Sequence, residues 1–228
     1  MRTWISSLAV AETSYPVTTT DFTLYCFAQS GNAYKVALAL QLAGADWKPR
    51  WVDFFNGETR TPEYREKVNE MGEVPVLEHA GKRLSQSGVI LHYLAEHFGK
   101  FQGEDKREVL RWILWDNHKL TSYIATLRFL VQFQKTGETP VTEFLRGRIK
   151  GSLGILEKHL ATNAFAVRDQ PSIADFSMCG YLYWPEEFGV SWSEYPRVAA
   201  WLERIRKLPG WVHPYELMPG HPLKRTKE

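Results

Sequence analysis

Alternating apolar and polar positions near the start of the chain predict a strand, and the residues after it change to a helical period. Residues Phe22 to Phe27 alternate and are rich in aromatic side chains. Residues Ala33 to Leu42 repeat apolar side chains at helical spacing, and Gly44 ends that pattern. Residues Trp47 to Phe54 predict a second strand. This order predicts a right-handed parallel unit whose first turn, at Ser30, lies at the carboxyl edge where ligands usually bind.

A second group of short elements follows a loop and a short helix. Val74-Pro75 precedes the apolar pair Val76-Leu77 and predicts the start of a strand, where the missing N–H of proline costs no ladder bond. Residues 80–82 predict a tight turn. A strong helix then begins at Ser85 or Ser87.

The second half of the chain predicts helices and no further strand. Residues 100–105 form a polar linker, and we take them as the boundary between a domain at 22–99 and an all-helical domain at 106–228. Residues 1–21 are expected to be a loose N-terminal extension. The predicted long helices are Lys106 to Gln134, Pro140 to Leu160, Ser172 to Trp184 and Pro196 to Leu208.

One motif in the helical half predicts a well-defined helix start. In Ser172-Ile173-Ala174-Asp175 the serine side chain can cap the N–H near Asp175 while the carboxylate reaches back. This is a reciprocal capping box, and it indicates stability rather than chemistry.

Composition narrows the class of protein. The 228 residues carry a formal net charge of +2 with 24% charged residues, so no strong field favours nucleic acid or an anionic membrane. Cys26 and Cys179 are far apart and predict neither a disulfide framework nor a metal cluster. No apolar run predicts a transmembrane helix. We therefore expect a soluble protein of a reducing, cytoplasmic compartment.

Two predicted helix starts and one extended segment are candidates for ligand binding. An extended backbone at Val74 could pair with a short peptide. The helix start at Gln86-Ser87 leaves unpaired N–H groups and partial positive charge, which suit a carboxylate. Each feature alone is also typical of an ordinary turn or cap, and the same holds for Ser30. Together they predict a site that holds a small peptide by its backbone and its carboxylate.

These segments resemble the glutathione transferase family across nearly all of Phe22 to Trp211. The resemblance implies an α/β plus all-α fold, in which a thioredoxin-like domain of order βαβαββα precedes a C-terminal helical bundle. It implies that Val74, with a cis Pro75, pairs with the cysteinyl backbone of glutathione. It also implies that Gln86 and Ser87 hold the γ-glutamyl end.

The resemblance further assigns the glutathione sulfur to Ser30. Serine-type members place their catalytic serine between the first strand and the first helix, as Ser30-Gly31-Asn32-Ala33 does here. A free thiol titrates near ~8.5 and only its thiolate is a good nucleophile, so a hydroxyl donor at a helix end would promote ionisation. Asn32 is an alternative at the same helix entrance and a predicted glutathione ligand. Cys26 and Tyr25 are alternatives because tyrosine-type members carry their catalytic Tyr near that place.

In this family one face of the long helix lines the site for the second substrate. Trp112, Trp115 and His118 are the residues that we expect there, although an aromatic stripe is also typical of a core. Two departures from the family pattern stand out. Glu73 replaces the Lys or Gln that contacts the glycyl end in many members, for which Lys67 or Arg83 could substitute. Asp116 stands earlier on the helix than the acid that reaches a neighbouring subunit's glutathione.

The predicted function is transfer of the glutathione thiolate to a small electrophilic carbon. Glutathione is the expected co-substrate, no metal is expected, and homodimerisation follows from the resemblance. A glutathione-dependent peroxidase or isomerase, a thiol-transfer enzyme centred on Cys26, and a glutathione-binding protein without turnover are the alternatives. The electrophile and the transferase class cannot be predicted from spacing.

Overall fold

The computed structural model describes residues 22–223, so the predicted extension at residues 1–21 lies outside them. The first half contains a four-stranded sheet and three helices: β1 Phe22–Cys26, α1 Gly31–Ala43, β2 Trp47–Trp51, α2 Pro62–Lys67, β3 Val76–His79, β4 Lys82–Ser85 and α3 Ser87–Phe98. The helices of the second half are α4 Lys106–Trp115, α5 Thr121–Arg128, α6 Pro140–His159, α7 Ile173–Cys179, α8 Pro196–Arg206 and α9 Pro214–Leu217. This order confirms the predicted fold class of a thioredoxin-like unit followed by helices. The proposed domain limits stay a prediction.

The sheet has the order β2-β1-β3-β4. β1 is parallel to β2 and antiparallel to β3, and β3 is antiparallel to β4. Leu24 and Cys26 of β1 face the main core, whereas Tyr25 faces a smaller cluster with Val52, Tyr64 and Val76. The two faces follow from the period of two along a strand.

Helix α1 is almost wholly buried and begins at the end of β1. Ser30 is its N-cap, and Gly44 closes it in the left-handed conformation that glycine adopts at helix ends. α1 packs against α3 in the first half and against α7 in the second. The turn that carries Ser30 is therefore enclosed between the two halves of the molecule.

The predicted helix from Lys106 to Gln134 is interrupted by π turns at Asp116–Leu120 and Phe129–Phe133. A π turn brings residues five apart into register. Here it lets the buried Thr121 hydroxyl donate to Asp116 Oδ1 over 2.8 Å. The first π turn therefore accommodates the buried hydrogen bond between Thr121 and Asp116, which the apolar pattern of the sequence does not reveal.

The helix predicted over Ser172 to Trp184 is shorter, since α7 ends at Cys179. From there the backbone bonds residues three apart, from the Gly180 N–H to the Ser177 carbonyl and from the Leu182 N–H to the Cys179 carbonyl, so the α-helical pattern does not continue. The predicted capping box of α7 is confirmed: the Ser172 side chain accepts at the helix start and the Asp175 side chain accepts from the Ser172 N–H.

The C-terminal part of the described chain returns to the turn after β1. The backbone N–H of Ala28 donates to the Pro219 carbonyl over 2.8 Å. The Gln29 side-chain amide donates to the Gly220 carbonyl over 2.9 Å. Residues next to Ser30 are thus held by residues about 190 positions away.

Candidate functional site

A cleft of about 690 Å³ lies between the two halves of the molecule. The six residues predicted to contact glutathione all line it: Ser30, Asn32, Val74, Pro75, Gln86 and Ser87. The structure therefore brings together three segments, of which the first and the last are more than fifty residues apart in the sequence. Two helix N-termini, those of α1 and α3, meet this cleft and give it partial positive charge.

Ser30 is almost buried, with 5% of its surface exposed. Its hydroxyl oxygen accepts the N-cap hydrogen bond from the Ala33 N–H over 3.1 Å. Accepting that bond leaves the hydroxyl proton for one further partner, either the neighbouring Tyr181 phenol or a ligand. Ser30 can therefore cap α1 and donate a hydrogen bond into the cleft at the same time.

Cys26 and Tyr25, the alternatives on β1, do not line the cleft. Cys26 is fully buried, and burial raises the pKa of its thiol to about 12. Tyr25 lies on the opposite face of the strand, where burial and the neighbouring Glu78 carboxylate raise the pKa of its phenol. Neither group is placed to act on a ligand in this cleft.

The cysteines provide a simple test of this placement. Cys26 and Cys179 are both fully buried, and only a thiolate reacts rapidly with a disulfide reagent. We expect the native protein to show no fast-reacting thiol at neutral pH in a dithionitrobenzoate titration, and both thiols to react after denaturation in urea. A rapid reaction of one equivalent in the native state would show that Cys26 or Cys179 is accessible.

The Val74–Pro75 peptide bond is cis, as the family resemblance implies.

The start of α3 has no side-chain cap among the described residues. Gln86 precedes this helix with φ 67° and ψ 111°. Ser87, the first residue of α3, is 7% exposed. The N-terminus of α3 is therefore available to an acceptor from a ligand.

Glu73 borders the cleft and contacts Gln86. The Gln86 side-chain amide donates to Glu73 Oε2 over 2.9 Å. Lys67 pairs with Glu63 over 3.0 Å, and Arg83 pairs with Glu78. Neither Lys67 nor Arg83 lines the cleft. Among the described residues that line the cleft, this end therefore has the Glu73 carboxylate and no lysine or arginine.

Two buried polar atoms of the cleft lining have no hydrogen-bond partner within residues 22–223: Asn32 Oδ1 and His92 Nε2. Buried polar atoms are paired in the large majority of cases, so such atoms at a cleft indicate a polar ligand or water. His92 was not predicted as a site residue. His92 belongs to α3, five residues after Ser87.

Trp112, Trp115 and His118 do not line the cleft. Trp112 is buried and packs edge-on against Trp115 with a centroid distance of 5.2 Å, while His118 is exposed. The helical wall of the cleft is a different face of the same segment: Leu110, Ile113, Leu114, Asn117 and Thr121. These positions recur at helical spacing on one side of α4, the first π turn and the start of α5. Trp112 thus belongs to the core, and Trp115 lines a separate groove with Lys119 and Tyr123.

Asp116 also does not line the cleft, because its side chain is buried in an ion pair. Its carboxylate is fully buried and forms an ion pair with Lys35 of α1 over 2.7 Å. The Ser177 hydroxyl donates to the same carboxylate over 2.7 Å. An acid enclosed in this way cannot reach a ligand in another subunit, so that role does not fall to Asp116.

Tyr181, which sequence reasoning missed, lines the cleft at the start of α1. It follows α7 and stands 151 residues after Ser30 in the chain. No local pattern connects the two positions, because their contact depends on how α7 packs against α1.

The sequence matches two family models that together cover most of the chain. They are the glutathione S-transferase N-terminal domain, over residues 20–96, and the glutathione S-transferase C-terminal domain, over residues 118–209. The chain belongs to the glutathione transferase family. Within the described residues of this family member, no group of three or more His, Cys, Asp or Glu side chains could hold a metal ion, and no helix has the length and apolarity to cross a membrane.

Similar proteins span more than one activity. Glutathione S-transferase 1 of Dianthus caryophyllus is 30% identical over 76% of this chain and 81% of its own length. A maleylacetoacetate isomerase of Pseudomonas aeruginosa is 28% identical over 77% of this chain and 86% of its own length. These similarities agree with the family assignment, and they do not determine which reaction this protein catalyses.

Solved structures agree with this assignment. A possible glutathione S-transferase from Rhodopseudomonas palustris superimposes with a TM-score of 0.79 and 35% identity, over 86% of this chain and 90% of that one. The glutathione transferase URE2P6 from Phanerochaete chrysosporium, solved with oxidized glutathione, gives a TM-score of 0.77 and 25% identity over 86% and 94% of the two chains.

Proposed function

We propose that this protein binds glutathione in the cleft and transfers its thiolate to a small electrophilic carbon. The observation that carries the proposal is the convergence of Ser30, Val74, Gln86 and Ser87 on one cleft at two helix N-termini. The unpartnered Asn32 and His92 atoms support a polar ligand there. Homodimerisation and a cytoplasmic location stay predictions of the family resemblance.

Glutathione would lie along the edge of the first half. The extended segment at Val74 would pair with its cysteinyl backbone, and the uncapped start of α3 would receive the γ-glutamyl carboxylate. Gln86 would turn from Glu73 to the ligand or share its amide between them. This pose directs the sulfur towards Ser30 at the start of α1.

Catalysis would depend on ionisation of the thiol. A hydroxyl donor to a thiolate contributes about 1.5–3 kcal/mol and a helix N-terminus about 0.3–1 kcal/mol. At about 1.4 kcal/mol per pKa unit, these terms lower the thiol pKa by roughly one to three units. The thiol proton then leaves to solvent, the sulfur lone pair forms the bond to carbon, and the leaving group departs with its electron pair.

The second substrate would contact an apolar wall. Val89, Leu110 and Leu114 line the cleft and are 54%, 44% and 60% exposed. Large aliphatic side chains with this much solvent exposure in a cleft indicate an apolar ligand, because covering them is energetically favourable. We therefore propose a hydrophobic electrophile, in place of a pocket formed by Trp112, Trp115 and His118.

The similarity to a maleylacetoacetate isomerase favours a second candidate, a glutathione-dependent isomerase in the same cleft. In that reaction the thiolate would add to the substrate and leave again, so glutathione would not be consumed. A panel of electrophiles separates the candidates, since conjugation consumes the thiol and isomerisation changes the substrate at constant thiol. Retention on immobilised glutathione with neither reaction would identify a binding protein.

Replacement of Ser30 by alanine tests the sulfur assignment. Loss of one hydroxyl donor is expected to raise the pKa of the bound thiol by about one unit and to slow conjugation at neutral pH by up to about tenfold. The measurement is the pH dependence of kcat/KM with a chlorodinitrobenzene-type electrophile.

Ser85→Ala is the matched control for this change, since Ser85 of β4 does not line the cleft. Its pH profile should follow the wild type. A Ser30→Ala profile that also follows the wild type would move the sulfur contact to a neighbour such as Asn32.

A further inference from the structure

Tyr181 crosses from the helical half to the N-terminus of α1. Its ring lies so close to Gly31 that a Cβ atom placed on that glycine would stand 2.3–2.5 Å from three ring carbons. Only a residue without a side chain permits this approach. The ring is therefore fixed directly over the first turn of α1, beside Ser30, and Tyr181 lines the cleft with 8% of its surface exposed.

The phenol oxygen of Tyr181 lies among groups that attract negative charge. Burial raises the pKa of the phenol. The Arg128 guanidinium opposes that shift, as does hydrogen bonding with the backbone of Asn32, the Ser30 side chain and the backbone of Gly31. The phenol keeps its proton at neutral pH, so its O–H is available as a donor.

We propose that the Tyr181 hydroxyl is a second hydrogen-bond donor to the glutathione sulfur, supplied by the helical half opposite Ser30. The proposal rests on the proposed function, since it needs glutathione in this cleft. Tyr181 and Ser30 meet at the same helix N-terminus, where a sulfur directed at one hydroxyl lies within reach of the other. The two donors come from different halves, so the thiolate site is complete only when the halves are packed together.

Neighbouring contacts hold this arrangement in place. Arg128 is buried and donates to the Gln29 carbonyl over 2.5 Å, in the turn immediately before Ser30. It also pairs with Glu187 over 2.6 Å. The turn that carries Ser30 and the segment that follows Tyr181 are thus joined through one guanidinium group.

Tyr181 would act without transferring its proton. The thiol proton leaves to solvent before attack, and the phenol O–H donates to the sulfur through ionisation and attack. A thiolate sulfur accepts more than one hydrogen bond, so the contributions of Ser30 and Tyr181 both lower the pKa of the bound thiol.

Tyr181→Phe tests this role because it removes one oxygen and keeps the ring that packs on Gly31. The pKa of bound glutathione is measured from the ultraviolet absorbance of the thiolate as a function of pH. We expect this pKa to rise by about one unit and conjugation at neutral pH to become up to about tenfold slower, with the rate recovering at high pH. The KM for glutathione should change little, since the peptide and carboxylate contacts remain.

Tyr183→Phe is the matched control. Tyr183 lies two residues further along, is buried, does not line the cleft, and directs its hydroxyl to the Leu202 carbonyl over 3.5 Å. Its thiol pKa and pH profile should equal those of the wild type. Site-specific 3-fluorotyrosine at position 181 is a second variant that keeps the shape and strengthens the donor, and it should lower the pKa of the bound thiol.

If the wild type binds glutathione as the thiolate and neither Tyr181→Phe nor the 3-fluorotyrosine variant changes the pKa of the bound thiol, the role of Tyr181 is overturned and the proposed function stands. If the wild-type difference spectrum, from which the spectra of free glutathione and of the protein alone are subtracted, shows no thiolate band below the pH at which free glutathione ionises, the proposed function is overturned, and the role of Tyr181 with it. An increase of about one unit in the pKa of the bound thiol in Tyr181→Phe, with the wild-type pKa in Tyr183→Phe, supports the assignment.

Discussion

Replacement of Lys35 by methionine is expected to lower the free energy of unfolding by about 3–5 kcal/mol. The Lys35 and Asp116 side chains are both fully buried and lie 2.7 Å apart. Methionine fills most of the volume of lysine but leaves the Asp116 carboxylate without its counter-charge. The hydroxyls of Thr121 and Ser177 still donate to that carboxylate, yet neutral donors do not replace the positive charge beside a fully buried carboxylate.

Urea denaturation followed by tryptophan fluorescence measures this loss. Lys67→Met is the matched control, because Lys67 pairs with Glu63 at the surface, where both side chains are more than 60% exposed. Such a pair contributes about 0–1 kcal/mol. Equal losses for Lys35→Met and Lys67→Met would contradict a stabilising role of the buried pair.

Replacement of Asp175 by alanine is expected to cost about 3–5 kcal/mol, because each buried donor left unpaired costs about 1–3 kcal/mol. The carboxylate accepts hydrogen bonds from the Ala166 and Ser172 N–H groups over 2.7 and 2.9 Å. It also accepts from the Trp201 indole over 2.8 Å. Asp175 therefore joins the start of α7 to α8 and to the preceding loop.

Ser172→Ala separates the cap from this wider role. Loss of an N-cap side chain costs about 0.5–2 kcal/mol, so Ser172→Ala should be clearly milder than Asp175→Ala in the same urea titration. If the two variants lost the same stability, Asp175 would act only as part of the cap, and its contacts with Ala166 and Trp201 would add nothing.

Local signals explain most of what the sequence predicted. The cap at Ser30, the left-handed Gly44 and the box at Ser172 and Asp175 each depend on residues within a few positions of one another. Short-range physics determines such features, so a single sequence reveals them. The segments that we propose to bind glutathione could also be recognised, although only the structure brings them to one cleft.

The helical wall of the cleft could not be predicted in the same way. Trp112 and Leu110 are both apolar, but Trp112 is 3% exposed and Leu110 is 44% exposed. Hydrophobicity distinguishes apolar from polar positions, and it does not tell a face that packs in the core from one that borders an open cleft. Partners far apart in the chain, such as Lys35 with Asp116 and Tyr181 with Gly31, depend on tertiary packing alone.

The hydrogen bonds from Ala28 and Gln29 to Pro219 and Gly220 have a consequence for the order of assembly during synthesis. The ribosome releases the first half of the chain long before residue 220, so the sheet can form while this turn still lacks its partners. Closing such a long stretch of chain is entropically costly and belongs late in folding. The turn at Ala28 and Gln29 emerges about 190 residues before the residues that hold it, so its geometry is completed late in folding.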